Sequence, residues 1–227
     1  MDLYRYTDFT GYDAVLLLQG LGWTLMVFAA SMAAGILLGL GGALVRHARL
    51  WGLSPLVAVL VEIFRNSPVL VQLFLVFYGL PVIAQTRLSP LSAVILTLSV
   101  NTGAFMTVII RSALDAIPSG QWQAGLALGL RYRQIMRHIV FPQAIRIILP
   151  PTIGLAVGQL QVTSLAALIN LVDLTKVGSI LNLRTLKPFV VWPMIAAVYF
   201  ALAKPLSVLA GRLERKYRLK GGWVHQP

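Results

Sequence analysis

The chain has no cysteine. That excludes disulfide frameworks, thiolate metal sites and cysteine nucleophiles, and it leaves the redox compartment open. Acidic residues are scarce, with seven Asp and Glu against nineteen Lys and Arg. Long polar stretches are scarce too: 58% of residues are hydrophobic and 11% charged, with a mean hydropathy of +0.80, well outside the soluble globular range. No Gly-x-x-x-x-Gly-Lys-Ser/Thr loop is present to cradle phosphate, so the chain cannot bind ATP as a P-loop protein does. Gly-x-Ser-x-Gly is also missing. His47, His138 and His225 are scattered, with no second histidine at metal spacing, so no catalytic or metal site is expected. A net charge of +12 points to nucleic acid in a soluble protein. In a membrane protein it reflects cations crowded on the cytoplasmic side, which removes nucleic acid from the expected partners.

What is present is apolar sequence in span-length runs, and an all-α membrane protein of about five transmembrane helices follows. The spans are expected at 14–45, 55–82, 91–113, 147–171 and 189–209, within one permeation domain over 14–213. A polar segment over 1–13 precedes it and a basic tail over 214–227 follows. The first segment has no basic n-region, and the apolar run after it is too long for the h-region of a cleaved signal peptide. Gly35 and Gly39 form a Gly-x-x-x-Gly pair suited to close helix approach. Pro68 interrupts the second span, and 172–188 reads as a connecting segment.

Polar residues inside the spans are costly unless they face protein or water, about 2.5–3.5 kcal/mol for a charge near the bilayer centre. Glu62 and Arg65 lie i, i+3 on one face, with Asn66 and Gln72 close by. Asn101 sits in the third span, and Gln159, Gln161, Thr163 and Ser164 cluster in the fourth. One reading makes these nine residues a polar transport path. The other gives them structural work, as an intrahelical ion pair and as bonds between neighbouring helices, each bond worth about 0.6 kcal/mol.

Between the third and fourth spans, residues 114–142 break the apolar pattern. Ser119 is placed to cap a helix on which Trp122 and Leu126 share a face, beside the small residues Ala124, Gly125, Ala127 and Gly129. A second short helix is expected with Ile135, Ile139 and Val140 on one side and Arg131, Arg133, Gln134, Arg137 and His138 on the other, stopped by Pro142. Such a pair at a membrane face is either an interfacial hairpin or a docking element for another protein. Cations choose the side. Twelve of the nineteen fall on the face shared by this loop and the C-terminus and five on the opposite face. The loop and C-terminus are therefore expected in the cytoplasm and the N-terminus outside.

Gln123-Ala124-Gly125, Gly129 and Ile139-Val140-Phe141-Pro142 resemble, at every fixed spacing, the EAA loop of bacterial ABC importer permeases. Here Gln123 stands for the usual Glu, Gly125 for Ala and Phe141 for Leu. The run from Glu62 to Pro68, followed by Val71-Gln72-Leu73-Phe74 and Gly79-Leu80-Pro81, resembles the polar amino acid uptake permeases, which include histidine, glutamine and glutamate importers. Val108 occupies a position where that family places Glu. Gln161-Val162 replaces its Lys-Asp.

The resemblance implies a multi-pass permease of the bacterial inner membrane that translocates a polar amino acid and is itself no enzyme. It implies an ABC ATPase dimer carrying ATP and Mg, an extracytoplasmic amino-acid-binding protein and a second permease chain. It makes Gln121, Trp122, Gln123, Ala124, Gly125, Leu126, Gly129, Arg131 and Pro142 the ATPase-coupling residues. The missing acids at Val108 and Val162 point to a neutral or acidic substrate and to a non-identical permease partner. From composition alone, a gradient-driven carrier or channel subunit and a non-transporting scaffold remain open. With Glu62 the only acid inside a span, proton or sodium coupling has little to work with.

Overall fold

The computed structural model describes residues 8–49 and 51–217. His225 and three of the counted cations, Arg5, Arg218 and Lys220, lie outside them. The described residues form α1 (Gly11–His47), α2 (Leu53–Asn66), α3 (Val69–Ala84), α4 (Pro90–Asp115), α5 (Ser119–Ala127), α6 (Tyr132–Ile169), α7 (Leu174–Thr185) and α8 (Pro188–Tyr217). Local chemistry sets several of the starts. The Asp13 carboxylate accepts the Thr10 N–H at 2.7 Å, and the Ser89 hydroxyl accepts the Ser92 N–H at 3.1 Å just before Pro90. Each satisfies a backbone donor that a helix start would otherwise leave unpaired.

The register of α1 on α4 establishes the topology. A Cβ on Gly35 would meet Thr102, one on Gly39 would overlap Met106, and one on Gly42 would meet Thr107. Residue numbers rise together, so α1 and α4 are parallel, and the chain must recross between them. It does so through α2 and α3, which meet at a bend of 109°. Pro68 causes the break: it has no N–H to give, and it holds Ser67 extended at φ −110°, ψ 147°. Among the described residues four helices are long and apolar enough to span a bilayer, or five if the broken α2–α3 pair is counted as one span.

α6 runs antiparallel to α4. Thr152 donates to the Met106 sulfur, Gln159 donates to the Leu98 carbonyl, and Ala166 packs in one cluster with Ala93 and Val94. α8 begins beside α7, where Ile195 and Trp192 close over Gly178, and returns along α6. The N-terminus of α1 and the C-terminus of α8 therefore lie at opposite ends of the bundle. The α4–α6 connection shares the end that carries His47.

Two expectations about the ends of short helices need correction. Pro142 does not stop a short helix, because α6 is continuous from Tyr132 to Ile169. A wide turn over Met136–Val140 precedes it, with the Phe141 N–H reaching back to Met136. The widened turn draws the carbonyl four residues back away from the pyrrolidine ring, so the helix absorbs the proline. Pro81 in α3 follows the same kind of turn, over Leu75–Gly79. Ser119 is not a side-chain cap either. Pro118 holds that position, with no side-chain cap bond.

The segment expected as a connector contains α7. Its buried residues Leu174, Val177, Gly178 and Leu181 follow helical spacing and pack against α1 and α8. Asp13, assigned from sequence to a polar terminal segment, is instead buried in the first turn of α1 and paired with Arg184. A buried carboxylate is tolerable there because the guanidinium and the Thr10 N–H both reach it.

Asp173, between α6 and α7, is 1% exposed. It accepts the Lys176 N–H at 2.8 Å and lies 3.5 Å from the Tyr199 hydroxyl. Burial pushes its carboxyl up to about 6 from an ordinary 3.8. Between those values the folded chain holds the proton better than the unfolded chain, so this group's contribution to stability grows as pH falls from about 6 toward 4. Asp173→Asn keeps the cap acceptor and removes the titration. We expect thermal unfolding in detergent, compared between the two proteins, to show wild type gaining on the variant as pH drops through that window.

Candidate coupling surface and polar path

At the His47 end, α5 is held against the bundle by its inner face. Gly125 is buried, and a Cβ there would lie 2.7 Å from the Ile135 side chain. Trp122 is half-buried and stacks on Tyr132 with ring centroids 5.5 Å apart. His47, the last residue of α1, stacks near both rings, and its Nε2 lies 2.6 Å from the Tyr132 hydroxyl. Trp122 therefore turns part of its ring toward its own chain, between the ends of α1 and α6, and leaves the rest open.

Gln123, Ala124, Leu126 and Leu128 are exposed on the outer side, with Leu126 at 62% and Leu128 at 77%. Gln121 is tied sideways to Gln143 at 3.3 Å. Gly129 ends α5 at φ +71°. Its N–H bonds Leu126 at 2.9 Å, and the next N–H, of Leu130, bonds Gly125 at 3.1 Å. This pair of reversed bonds is the glycine-terminated helix end that turns the chain sharply. The Gln134 side chain then accepts the Arg131 N–H at 2.8 Å and starts α6. Arg131, Arg133, Gln134, Arg137 and His138 line a small basic groove beside α5. Pro142 is exposed a turn and a half further along.

The arrangement is mechanical. α5 touches α1 through Trp122 and His47, and it touches α6 through Gly125 and Ile135, so displacement of α5 bears directly on two spans. Tyr132→Phe removes the hydroxyl that meets His47 and keeps the stack. A stability loss of about 0.5–1.5 kcal/mol is expected, and thermal unfolding of the variant beside wild type in the same detergent measures it.

The nine polar residues of the spans fall into two groups. Gln72, Asn101, Gln159 and Thr163 are buried and bonded within the chain. Gln72 donates to the Phe64 carbonyl at 2.8 Å and to the Ser67 carbonyl at 3.0 Å, and Asn101 donates to the same Phe64 carbonyl at 3.0 Å. These side chains satisfy the carbonyls freed by the α2–α3 break, a debt that lipid would leave unpaid. Gln159 bridges the Ser31 hydroxyl and the Leu98 carbonyl. Thr163 bonds back to Leu160.

Glu62, Asn66 and Gln161 are exposed, and Arg65 and Ser164 are half-exposed. Ser164 returns its hydroxyl to Gln161. Asn66 holds the Glu62 carboxylate at 2.8 Å, while Arg65 only grazes it at 4.0 Å. Arg65 instead lies over the Phe105 ring, 5.4 Å from its centroid. Because Phe64 is bonded to Asn101, midway along α4, this charged group sits at mid-depth on an open side of the chain.

The family model described as "Binding-protein-dependent transport system inner membrane component" matches residues 31–219. A Bacillus subtilis protein named "Probable amino-acid ABC transporter permease protein YckA" is 34% identical over 200 residues, covering 88% of each chain. The glutamine transport system permease protein of Escherichia coli K12 is 30% identical over 205 residues, covering 90% of this chain and 94% of its own. The crystal structure of an amino acid ABC transporter with histidines superposes with a TM-score of 0.83 at 29% identity, over 89% of this chain and 94% of that one. An inward-facing methionine transporter, MetNI, shares the fold with a TM-score of 0.75 at 21% identity, over 92% of this chain and 99% of that one. With the bundle of apolar helices, these likenesses make the chain a member of the family of inner-membrane components of binding-protein-dependent transport systems.

Proposed function

We propose that this chain is one half of the membrane pore of an ATP-driven importer for a polar amino acid, with α5 as the element an ATPase moves. The observation that carries the reading is the seating of α5: its inner face is clamped to α1 and α6, while Gln123, Ala124, Leu126 and Leu128 are left open to a partner. ATP and Mg belong to that partner, an ABC ATPase dimer. A closing ATPase pair carries α5 with it and shifts the balance between outward and inward openings of the pore.

The His47 end is then cytoplasmic, in line with its surplus of cations, and the Asp13 end receives substrate from an extracytoplasmic binding protein. Glu62 and Arg65, charged and open at mid-depth, call for a protein or water neighbour, which a second permease chain across the pore supplies. The absence of carboxylates at Val108 and Val162 favours a neutral or acidic amino acid and a non-identical partner permease.

The cysteine-free sequence makes the test direct. A single Ala124→Cys, co-expressed with an ABC ATPase and a binding protein from the same genome, should cross-link to the ATPase and react with impermeant maleimide only from the cytoplasmic side. Labelling from outside would overturn the reading. Preferred uptake of arginine or lysine would refute the substrate class alone.

A further inference from the structure

Beyond the coupling surface, the structure contains a second basic recess at the His47 end. The groove, about 670 Å³, opens between the end of α1, the start of α2 and the end of α4. Arg46, Arg49 and Arg111 converge on it. Arg111 has one exposed carboxylate, Asp115, at 3.5 Å. Arg46 and Arg49 make no ion pair among the described residues, and the Arg46 Nε is buried with no hydrogen-bond partner. Gly52 and Ser54 form the floor, where α2 starts without any side-chain cap. Three arginines lining one recess beside uncapped helix amides attract an anion, and a phosphate with several acceptor oxygens suits both kinds of donor.

The rim says where the phosphate comes from. Trp51 lines the groove and is 100% exposed, an indole with no protein to cover it. Indoles in that situation anchor at the level of lipid headgroups, and a soluble anion has no use for one. We propose that this groove binds the phosphodiester headgroup of an anionic phospholipid, with Arg46, Arg49 and Arg111 on the phosphate and Trp51 against the glycerol and upper acyl region. The lipid would hold the end of α1 beside the start of α2, next to the His47–Tyr132 contact through which α5 acts on α1. The leaflet assignment rests on the proposed topology; the binding does not.

The probe is phosphatidylglycerol added to the purified full-length protein in detergent, with phosphatidylcholine of the same acyl chains and inorganic phosphate as comparisons. We expect phosphatidylglycerol to raise the unfolding temperature, phosphatidylcholine to leave it unchanged and phosphate to act only at far higher concentration. Arg46→Gln with Arg49→Gln should weaken the lipid effect by roughly 10- to 30-fold, at about one power of ten or less per cation. Arg87→Gln, an equal kind of charge loss at the opposite end, should leave it intact, and Arg46→Lys with Arg49→Lys should restore much of it. Equal stabilisation by both lipids, or by phosphate at lipid concentrations, overturns the proposal. So does a double glutamine variant that binds phosphatidylglycerol normally, or one that loses ATPase association while neither lipid has any effect. Because the assay is run in detergent, its failure leaves the transport reading standing, and maleimide labelling from the wrong side leaves the lipid site standing.

Discussion

Gly129→Val is expected to abolish uptake while the protein still inserts in the membrane. Gly129 sits at φ +71°, and a residue with a branched Cβ is a severe outlier there. An ordinary L-residue costs about 1–2 kcal/mol in this region. Space is not the obstacle, since a Cβ at Gly129 would meet nothing within 4 Å. The two causes can therefore be separated. Gly129→Asn, a residue that tolerates the left-handed region, should retain most of the activity, while valine loses it. The loss would be disproportionate to its energy because α5 has only nine residues and no stability of its own. Once the turn is re-aimed, Gly125 leaves Ile135, Trp122 leaves its stack, and the exposed face points elsewhere. Normal uptake by the valine variant at normal expression would remove the bend from the mechanism.

Gly39→Leu is expected to prevent folding altogether. A Cβ at this position overlaps Met106 and comes within 3.0 Å of the Thr107 nitrogen and 3.1 Å of the Gly103 carbonyl. Two of those three atoms belong to the backbone of α4, which cannot turn aside as a side chain can. The penalty should exceed the roughly 1–3 kcal/mol of an ordinary overpacked core site. Separation of α1 from α4 would also expose Thr102, Thr107 and the Ser31–Gln159 bond to lipid. Gly41→Leu is the control, two residues away on the same helix with open space around it. Size-exclusion profiles in detergent should show a monodisperse Gly41→Leu protein and an aggregated or missing Gly39→Leu one. Equal profiles would mean that the glycine contact is not what binds α1 to α4.

The π-type turns explain why Pro142, expected as a stop, does not end its helix. Pro142 and Pro81 look like helix stops because each removes a donor and crowds the carbonyl four residues before it. In both cases a widened turn lies immediately upstream and relieves the crowding, so the helix continues. Pro68 has no such turn before it, and there the chain does break. Nothing in the local sequence separates the three cases. What distinguishes Pro68 is that Gln72 and Asn101 stand ready to take the freed carbonyls, and Asn101 comes from 37 residues away.

Much of the candidate site was legible. The sequence placed a helix after Ser119 with Ala124, Gly125, Ala127 and Gly129 as a small-residue surface, and it marked the glycine pair on α1 as a packing face. α7 carries helical spacing at Leu174, Val177 and Leu181, a signal present in the sequence itself. The side of α5 on which Trp122 works was not legible, because Trp122 and Leu126 share a stripe in sequence. Only Tyr132 and His47, arriving from elsewhere, turn one inward and leave the other out.

By itself the sequence determined that the chain is built of span-length apolar helices, that a polar stretch interrupts them after residue 113 and that its cations are clustered, since each depends on composition within one short window. Tertiary structure alone decided which polar side chains are spent on neighbours, which proline ends a helix and where Asp13 finds Arg184, 171 residues away. Those outcomes depend on atoms that meet only after folding, and the free energy of a buried polar group is set by the partner it meets there rather than by its neighbours in the chain.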